Sequence, residues 1–265
     1  MDSLGDPIGV GRTAEVYDLG DGRVVKLLCP DLPAGWLDVE AQKTAAVREA
    51  GVPASKVHGR MEIDGRSGVI FDKAPGKQML RRMKRSPHRI RRWARRLASI
   101  HAEILHCGCG DLPDVKEVLA WKIVRADALR SHEKAAARDA LQHLPDGMKV
   151  LHGDFHADNV FISGGRAMVI DWIDACCGDP AADIARSMWL MSPEVIPPSM
   201  RGRRVLTALA GAARRAYAGD ILPAAQRTRS DVRAWRLPVV AARLSEGIGH
   251  EEEALAREVR RLIGT

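Results

Sequence analysis

Three oxygen-bearing side chains border two short apolar runs in the middle of the chain. Asp154 precedes Asn159 by five residues, and an apolar run at 160–162 follows directly. A Ser-Gly-Gly turn leads to a second apolar run at 168–170, which ends on Asp171. Two strands joined by this turn would bring Asp154, Asn159 and Asp171 to one end of a hairpin. Two oxygen ligands suit a Mg²⁺ ion that is also bound to the phosphates of a nucleotide. A further carboxylate can accept the proton of an attacking hydroxyl group. This combination predicts phosphoryl transfer.

The same residues belong to three blocks whose order and spacing are specific: His152-Gly-Asp154-Phe-His-Ala-Asp-Asn159, Ile170-Asp171-Trp172 and Gly178-Asp179-Pro-Ala-Ala-Asp183. The blocks resemble those of the aminoglycoside phosphotransferase and choline kinase family, small-molecule kinases with a protein-kinase-like fold. The resemblance implies that Asp154 is the catalytic base and that Asn159 and Asp171 hold Mg²⁺. It also implies that His152 and Asp183 support the catalytic loop, although Asp183 is equally suited to cap a helix at 184–191.

The resemblance implies an α+β, bilobal, protein-kinase-like fold, with a small antiparallel β-sheet N-lobe and a mainly helical C-lobe. The patterning agrees, since strands are predicted at 8–17, 23–28, 57–63 and 67–71, with a helix at 36–50. The Asp-Lys-Ala-Pro-Gly segment at 72–76 is typical of a hinge, and the pattern from 77 onward is helical apart from the hairpin. We therefore expect a nucleotide-binding lobe at 1–73 and a helical lobe, with the catalytic loop and acceptor site, at 74–265.

Lys26 lies within an otherwise apolar predicted strand. Alternation alone would allow this lysine to face solvent. By resemblance it is the lysine that contacts the α- and β-phosphates of ATP and is held by a helix glutamate. Glu40, in the helix that follows, is the expected partner.

Backbone groups complete the predicted nucleotide site. Gly9 and Gly11 lie in a turn that runs into the first predicted strand, where the absence of a Cβ lets N–H groups approach phosphates. By resemblance, the hinge offers backbone groups to the adenine edge from Asp72, Lys73 and Ala74. ATP is the expected phosphoryl donor, and GTP is an alternative.

Composition favours a folded globular protein, with 265 residues, 46% hydrophobic residues and a net charge of +7. We expect a cytoplasmic monomer or dimer, since no apolar run approaches the length of a membrane span and no export signal begins the chain. The five cysteines are expected to be reduced thiols. Nucleic acid is not an expected partner, because the arginine-rich stretch at 81–96 carries an apolar stripe and its arginines fit a solvated face.

Two other functions stay open. The run His152, Asp154, His156 and Asp158 could bind Zn²⁺ or Fe²⁺ in a metal-dependent hydrolase. A catalytically inactive kinase fold used as a binding module is the other alternative. The acceptor is a small molecule with a hydroxyl group, either an aminoglycoside-type antibiotic or a metabolite such as a sugar or amino alcohol. The visible acidic cluster of the C-terminal region is residues 251–253.

Overall fold

The computed structural model describes residues 4–30, 32 and 35–264. The described strands are β1 (Gly9–Val10), β2 (Ala14–Asp18), β3 (Arg23–Leu28), β4 (Val57–Ile63), β5 (Arg66–Asp72), β6 (Lys77–Gln78), β7 (Lys149–Leu151), β8 (Val160–Ser163), β9 (Arg166–Val169) and β10 (Cys176–Gly178). The described helices are α1 (Trp36–Glu49), α2 (Met79–Arg85), α3 (Ile90–His106), α4 (Val115–Val124), α5 (Ser131–Gln142), α6 (Pro180–Leu190), α7 (Arg203–Ala224), α8 (Arg229–Ala234), α9 (Arg236–Arg243) and α10 (Gly249–Ile263). Short 3₁₀ helices occupy Pro87–Arg89, Pro193–Val195 and Leu244–Glu246.

The chain divides into two compact units. Unit 1 comprises Met1–Met79 and Asp158–Asp174, and unit 2 comprises Leu80–Ala157 and Ala175–Thr265. Small antiparallel sheets dominate unit 1, and helices dominate unit 2. The functional division into lobes at 1–73 and 74–265 stays a prediction.

Unit 1 is built on a five-stranded antiparallel sheet with the strand order β1-β2-β3-β5-β4. Because side chains alternate along a strand, Val24, Lys26 and Leu28 of β3 share one face. Val24 and Leu28 pack in a buried cluster with Leu37 of α1. Lys26 therefore faces the helix rather than solvent, and the core of the sheet positions it there.

A second sheet of unit 1 contains the predicted hairpin. β8 and β9 pair antiparallel with Val160 opposite Val169, which confirms the hairpin and its glycine turn. β6 adds to the free edge of β8, so this short segment is a strand where a helical pattern was expected. Gly76, just before β6, has φ +85°, and a Cβ there would lie 2.2 Å from the carbonyl oxygen of Ile162. Only glycine fits this close approach.

Unit 2 is mainly helical, with α7 packed along α3 and α9 in contact with α4, α5, α6 and α10. In α3 the buried face includes Ala94, Leu97 and Ile100, whereas Arg91 and Arg95 are exposed. The solvated face predicted for these arginines is confirmed. Among the described residues, no helix is both long enough and apolar enough to cross a membrane.

Two features of unit 2 correct the sequence predictions. β7 and β10 form a two-stranded antiparallel sheet in a region expected to be helical. Cys109 and Cys177 form a disulfide, so the expectation of five reduced thiols is wrong for this pair. The bridge joins positions 68 residues apart, a pairing that residue spacing alone does not specify.

Candidate active site

Lys26 Nζ connects two carboxylates within unit 1. It lies 2.8 and 2.7 Å from the two carboxylate oxygens of Glu40 and 3.1 Å from Oδ1 of Asp171. The side chains of Lys26 and Glu40 are 16% and 5% exposed, whereas that of Asp171 is 40% exposed. The helix glutamate is therefore a buried anchor, and the lysine and Asp171 together present charge at an accessible surface.

The pKa values of this cluster keep the lysine charged. Burial works against the charge on Lys26, but the carboxylates of Glu40 and Asp171 outweigh burial and raise the lysine pKa. Burial raises the pKa of Glu40, and the nearby Asp171 adds to this effect while Lys26 opposes it. A charged lysine fixed by a buried carboxylate is suited to binding a phosphate group.

Backbone geometry sets the position of Asp171. Its φ of +69° lies in the left-handed region, which only a few non-glycine residue types tolerate. The segment is held on both sides, because Ile170 N donates to the carbonyl of Asn159 at 3.0 Å and the indole of Trp172 donates to the carbonyl of Val169 at 3.0 Å. These contacts place Asn159 and Asp171 together at one end of the hairpin, as predicted for these two residues, whereas Asp154, the third predicted member, belongs to unit 2.

The donor set at this hairpin end fits Mg²⁺. One carboxylate and one carboxamide are available, and Mg²⁺ usually takes only one or two protein ligands and keeps phosphates and waters for the rest. Within residues 4–30, 32 and 35–264, no three His, Cys, Asp or Glu side chains are grouped as a metal site. The His152 to Asp158 run is thus not assembled as a multidentate site for a transition metal.

The glycine turn lies at the edge of the five-stranded sheet. Gly9 pairs with Val16, and the N–H of Gly11 donates to the carbonyl of Ala14 at 2.9 Å. A Cβ on Gly11 would lie 3.3 Å from that carbonyl oxygen, so the turn is tight at this residue.

The hinge residues are partly engaged in the sheet. Asp72 ends β5 and lies 2.6 Å from Nε2 of His58. The backbone N–H of Lys73 donates to the carbonyl of Gly22 at 2.9 Å, so this amide is already used within the sheet. Ala74 is half-buried beside it.

Asp154 lies in unit 2, on the loop after β7. Gly153 has φ +77°, which turns the chain sharply before Asp154. The carboxylate accepts a hydrogen bond from Arg186 Nη2 at 2.9 Å, and its other oxygen lies 3.3 Å from Nε2 of His156. Burial alone would raise the pKa of Asp154, but the His156 contact and the charge of Arg186 outweigh it and hold that pKa far below its ordinary value. Asp154 is therefore ionised at neutral pH.

Arg186 begins a buried chain of ion pairs that the sequence reasoning missed. It also contacts Glu246 at 2.7 Å, and Glu246 contacts Arg243 at 2.6 Å. Arg243 in turn makes two hydrogen bonds to Glu251, at 3.0 and 2.7 Å. One local feature of the sequence could have indicated this role for Arg186. It is a single arginine in an otherwise apolar stretch, three residues after Asp183 of the third motif. Glu251 is buried and paired with Arg243, so its carboxylate is not part of an exposed acidic surface.

Asp183 supports the catalytic loop directly. Its carboxylate accepts the backbone N–H groups of His152 at 2.6 Å and Gly153 at 2.9 Å, and it lies 3.0 Å from Nε2 of His101. The alternative role as a helix cap is wrong, because α6 begins earlier and Asp179 caps it through the amide of Ala181. The ring of His152 braces the loop from within, since its Nδ1 accepts the N–H of Asp154 at 3.2 Å.

Replacing Asp183 by asparagine is expected to lower the free energy of unfolding by about 3–5 kcal/mol, because one partner of a buried ionic cluster is removed. Burial opposes the charge on Asp183, but His101 and the amides outweigh it and lower its pKa. Because the pKa of Asp183 is lower in the folded protein, its ionised carboxylate stabilises the fold at pH values above the unfolded-state pKa of about 4. This contribution is lost as the pH falls below that value. Urea unfolding should show the full difference at pH 7 and a smaller one in acid.

The control is Asp139→Asn, the same substitution at an exposed position of α5. It should change the unfolding free energy by less than about 0.5 kcal/mol. Equal effects of the two substitutions would contradict the role assigned to Asp183.

Comparison with known proteins agrees with this geometry. The phosphotransferase enzyme family (APH) matches residues 5–219. A thermostable mutant of the aminoglycoside phosphotransferase APH(4)-Ia, in its apo form, has a TM-score of 0.65 at 17% identity, covering 99% of this chain and 95% of that chain. A choline/ethanolamine kinase family protein from Mesorhizobium loti has a TM-score of 0.58 at 15% identity, covering 98% of this chain and 88% of that one. Amicoumacin kinase hAmiN, in complex with AMP-PNP, Ca²⁺ and Ami, has a TM-score of 0.60 at 13% identity, covering 96% and 86%.

No curated protein sequence matches the chain. The structural likenesses show the fold, an α+β arrangement of the protein-kinase-like kind. The family match covers most of the sequence and includes all three motif blocks. The chain therefore belongs to the phosphotransferase enzyme family and is a small-molecule kinase.

Proposed function

We propose that the protein transfers the γ-phosphoryl group of ATP to a hydroxyl group of a small molecule. The observation that carries this proposal is the contact of Lys26 Nζ with both Glu40 and Asp171. In this assignment Lys26 binds the nucleotide phosphates, and Glu40 orients the lysine. Gly9 and Gly11 are proposed to form the turn beside the phosphates.

Asp154 is the proposed base. Its ionised carboxylate accepts a hydrogen bond from the acceptor hydroxyl and takes the proton as the phosphoryl group is transferred. The hydrogen bond from Arg186 fixes one carboxylate oxygen, so the aspartate is held in a defined orientation. Since its pKa is low, Asp154 contributes more by orienting the hydroxyl than by basicity in the ground state.

Asn159 and Asp171 are the residues that would hold Mg²⁺. When bound, the ion neutralises charge on the nucleotide's phosphates. Asp171 also remains within reach of Lys26, so the phosphate-binding and metal-binding groups share one surface of unit 1. The hinge residues at 72–74 are proposed to face the nucleotide base.

The charges around Asp154 indicate which net charge the acceptor molecule should carry. In unit 2 the carboxylates of Glu246 and Glu251 are both paired with arginines. Lys122 lies 4.0 Å from Glu246 and adds another positive charge. Because these carboxylates are neutralised, we infer that a neutral or singly charged acceptor, such as a sugar or amino alcohol, is used better than a polycationic aminoglycoside.

A screen of acceptors tests the proposal. ADP release should depend on Mg²⁺ and should accelerate with at least one sugar or amino alcohol, and mass spectrometry should find the acceptor carrying one added phosphoryl group. ATP and GTP are compared as donors, with a panel of aminoglycosides as the competing class. Preference for an aminoglycoside would overturn the inferred class of acceptor but would leave the proposed phosphoryl transfer intact. Nucleotide binding without acceptor-dependent ADP release would instead favour a binding module.

A further inference from the structure

A cavity lies within unit 2, and the proposed chemistry does not use it. It has a volume of about 350 Å³ and lies among α6, α7, α8, α9 and α10. This volume is at the lower end of the range for small-molecule sites. Its apolar lining includes Met188, Trp189 and Leu222.

Five arginines line the same cavity: Arg214, Arg229, Arg233, Arg236 and Arg261. No acidic residue is part of the lining. Glu258, outside it, pairs with Arg236 at 2.6 Å and with Arg261 at 2.7 Å. Within the described part of the chain, the other three arginines have no ion-pair partner. Arg214 and Arg236 are partly buried and the other three are exposed, so the lining carries an excess of positive charge that is in part open to solvent.

Arg214 is the most constrained of these charges. It is partly buried on α7, and burial together with the charge of Arg236 lowers its pKa, although the carboxylates of Glu194 and Glu258 oppose this effect. Guanidinium groups in such a setting bind oxyanions strongly, because their planar N–H groups match carboxylate and phosphate oxygens. A bound oxyanion would relieve the repulsion between Arg214 and Arg236.

The cavity is separate from the catalytic loop. Asp183 and Arg186 of α6 contact the loop at His152, Gly153 and Asp154. Residues 185, 188 and 189 of the same helix line the cavity. At about 100° per residue, these three positions are centred roughly 140° around α6 from Asp183 and Arg186. The cavity is therefore distinct from the catalytic loop, although Trp189 in its wall donates to Glu251 of the ion-pair chain at 3.3 Å.

We propose that this cavity binds a small organic oxyanion, namely a phosphate monoester with an apolar body. The arginines contact the phosphate oxygens, and the apolar body packs on Met188, Trp189 and Leu222. This site is independent of the proposed phosphotransfer, because none of its residues is assigned to nucleotide, metal or acceptor.

Isothermal titration with 1-naphthyl phosphate, without nucleotide or acceptor, tests the proposal. We expect saturable binding that is stronger than binding of either 1-naphthol or inorganic phosphate. The double substitution Arg229→Glu and Arg233→Glu should weaken binding by roughly 10- to 100-fold, as expected when charge-assisted hydrogen bonds are lost. The matched control is Arg138→Glu, at an exposed position of α5, which should leave affinity unchanged.

Two results would overturn the proposal. One is the absence of binding to the unmodified protein at millimolar probe concentrations. The other is binding that survives the double substitution but is lost in Lys26→Ala, which would place the probe in the nucleotide site. If the double variant does not fold, Arg214→Met, which keeps an apolar side chain of similar length, provides the same comparison.

Discussion

Replacing Asp154 by alanine is expected to lower kcat by at least about 10²- to 10⁴-fold, the contribution typical of a positioned base. The substitution removes the group that orients the acceptor hydroxyl and accepts its proton. The Lys26, Glu40 and Asp171 cluster does not include Asp154, so affinity for Mg-ATP should change little. Steady-state kinetics and isothermal titration with a non-hydrolysable ATP analogue measure the two quantities separately.

The control for Asp154 is Asp220→Ala, at an exposed position of α7. It should leave both kcat and nucleotide affinity unchanged. Turnover of Asp154→Ala close to that of the unmodified enzyme would end the assignment of Asp154 as the base. The low pKa of Asp154 adds a pH criterion, since the carboxylate stays ionised as the pH falls to about 4. A loss of activity between pH 7 and 5 would have to come from another group.

Replacing Asp171 by asparagine is expected to abolish the effect of Mg²⁺ on nucleotide affinity and to lower kcat by roughly 10³-fold or more. Asparagine tolerates the left-handed backbone that Asp171 adopts, so the change removes charge with little backbone strain. The Lys26–Glu40 pair should persist, which keeps the phosphate-binding lysine in place. Titration of the ATP analogue with and without Mg²⁺ measures the effect apart from turnover.

Asp64→Asn is the matched control for Asp171. Asp64 also has a positive φ, of 51°, and lies at the exposed turn between β4 and β5. The same chemical change in the same backbone conformation should leave Mg²⁺-dependent binding intact. An Asp171→Asn variant that retained full Mg²⁺ dependence would rule out this residue as a metal ligand.

Local sequence patterns predicted unit 1 well, because residues close together in the sequence determine its strands and turns. Alternation and glycine turns predicted β3, β4 and the hairpin. Alternation left the direction of Lys26 open, and its role came from the family resemblance. The partner Glu40 followed from the resemblance, and the structure places it in contact with that lysine.

Unit 2 was less accessible to prediction because its key contacts join distant positions. Arg186 and Glu246 are 60 residues apart, and Cys109 and Cys177 are 68 apart, so no periodicity connects either pair. The misassigned cap of α6 is different, since Asp179 followed by a proline is a recognised helix start. That signal was present in the sequence, but Asp183, four residues later, offered a competing cap.

The ion-pair chain from Asp154 through Arg186, Glu246 and Arg243 ends on Glu251, which belongs to α10. Ribosomes make the chain from the N-terminus, so α10 emerges after the loop that carries Asp154 has been synthesised. Until α10 docks, Arg243 lacks the carboxylate that makes two hydrogen bonds to it. A nascent chain without α10 would thus carry every proposed catalytic side chain and the Arg186 contact to Asp154, while the far end of the ion-pair chain, at Arg243, would still be incomplete.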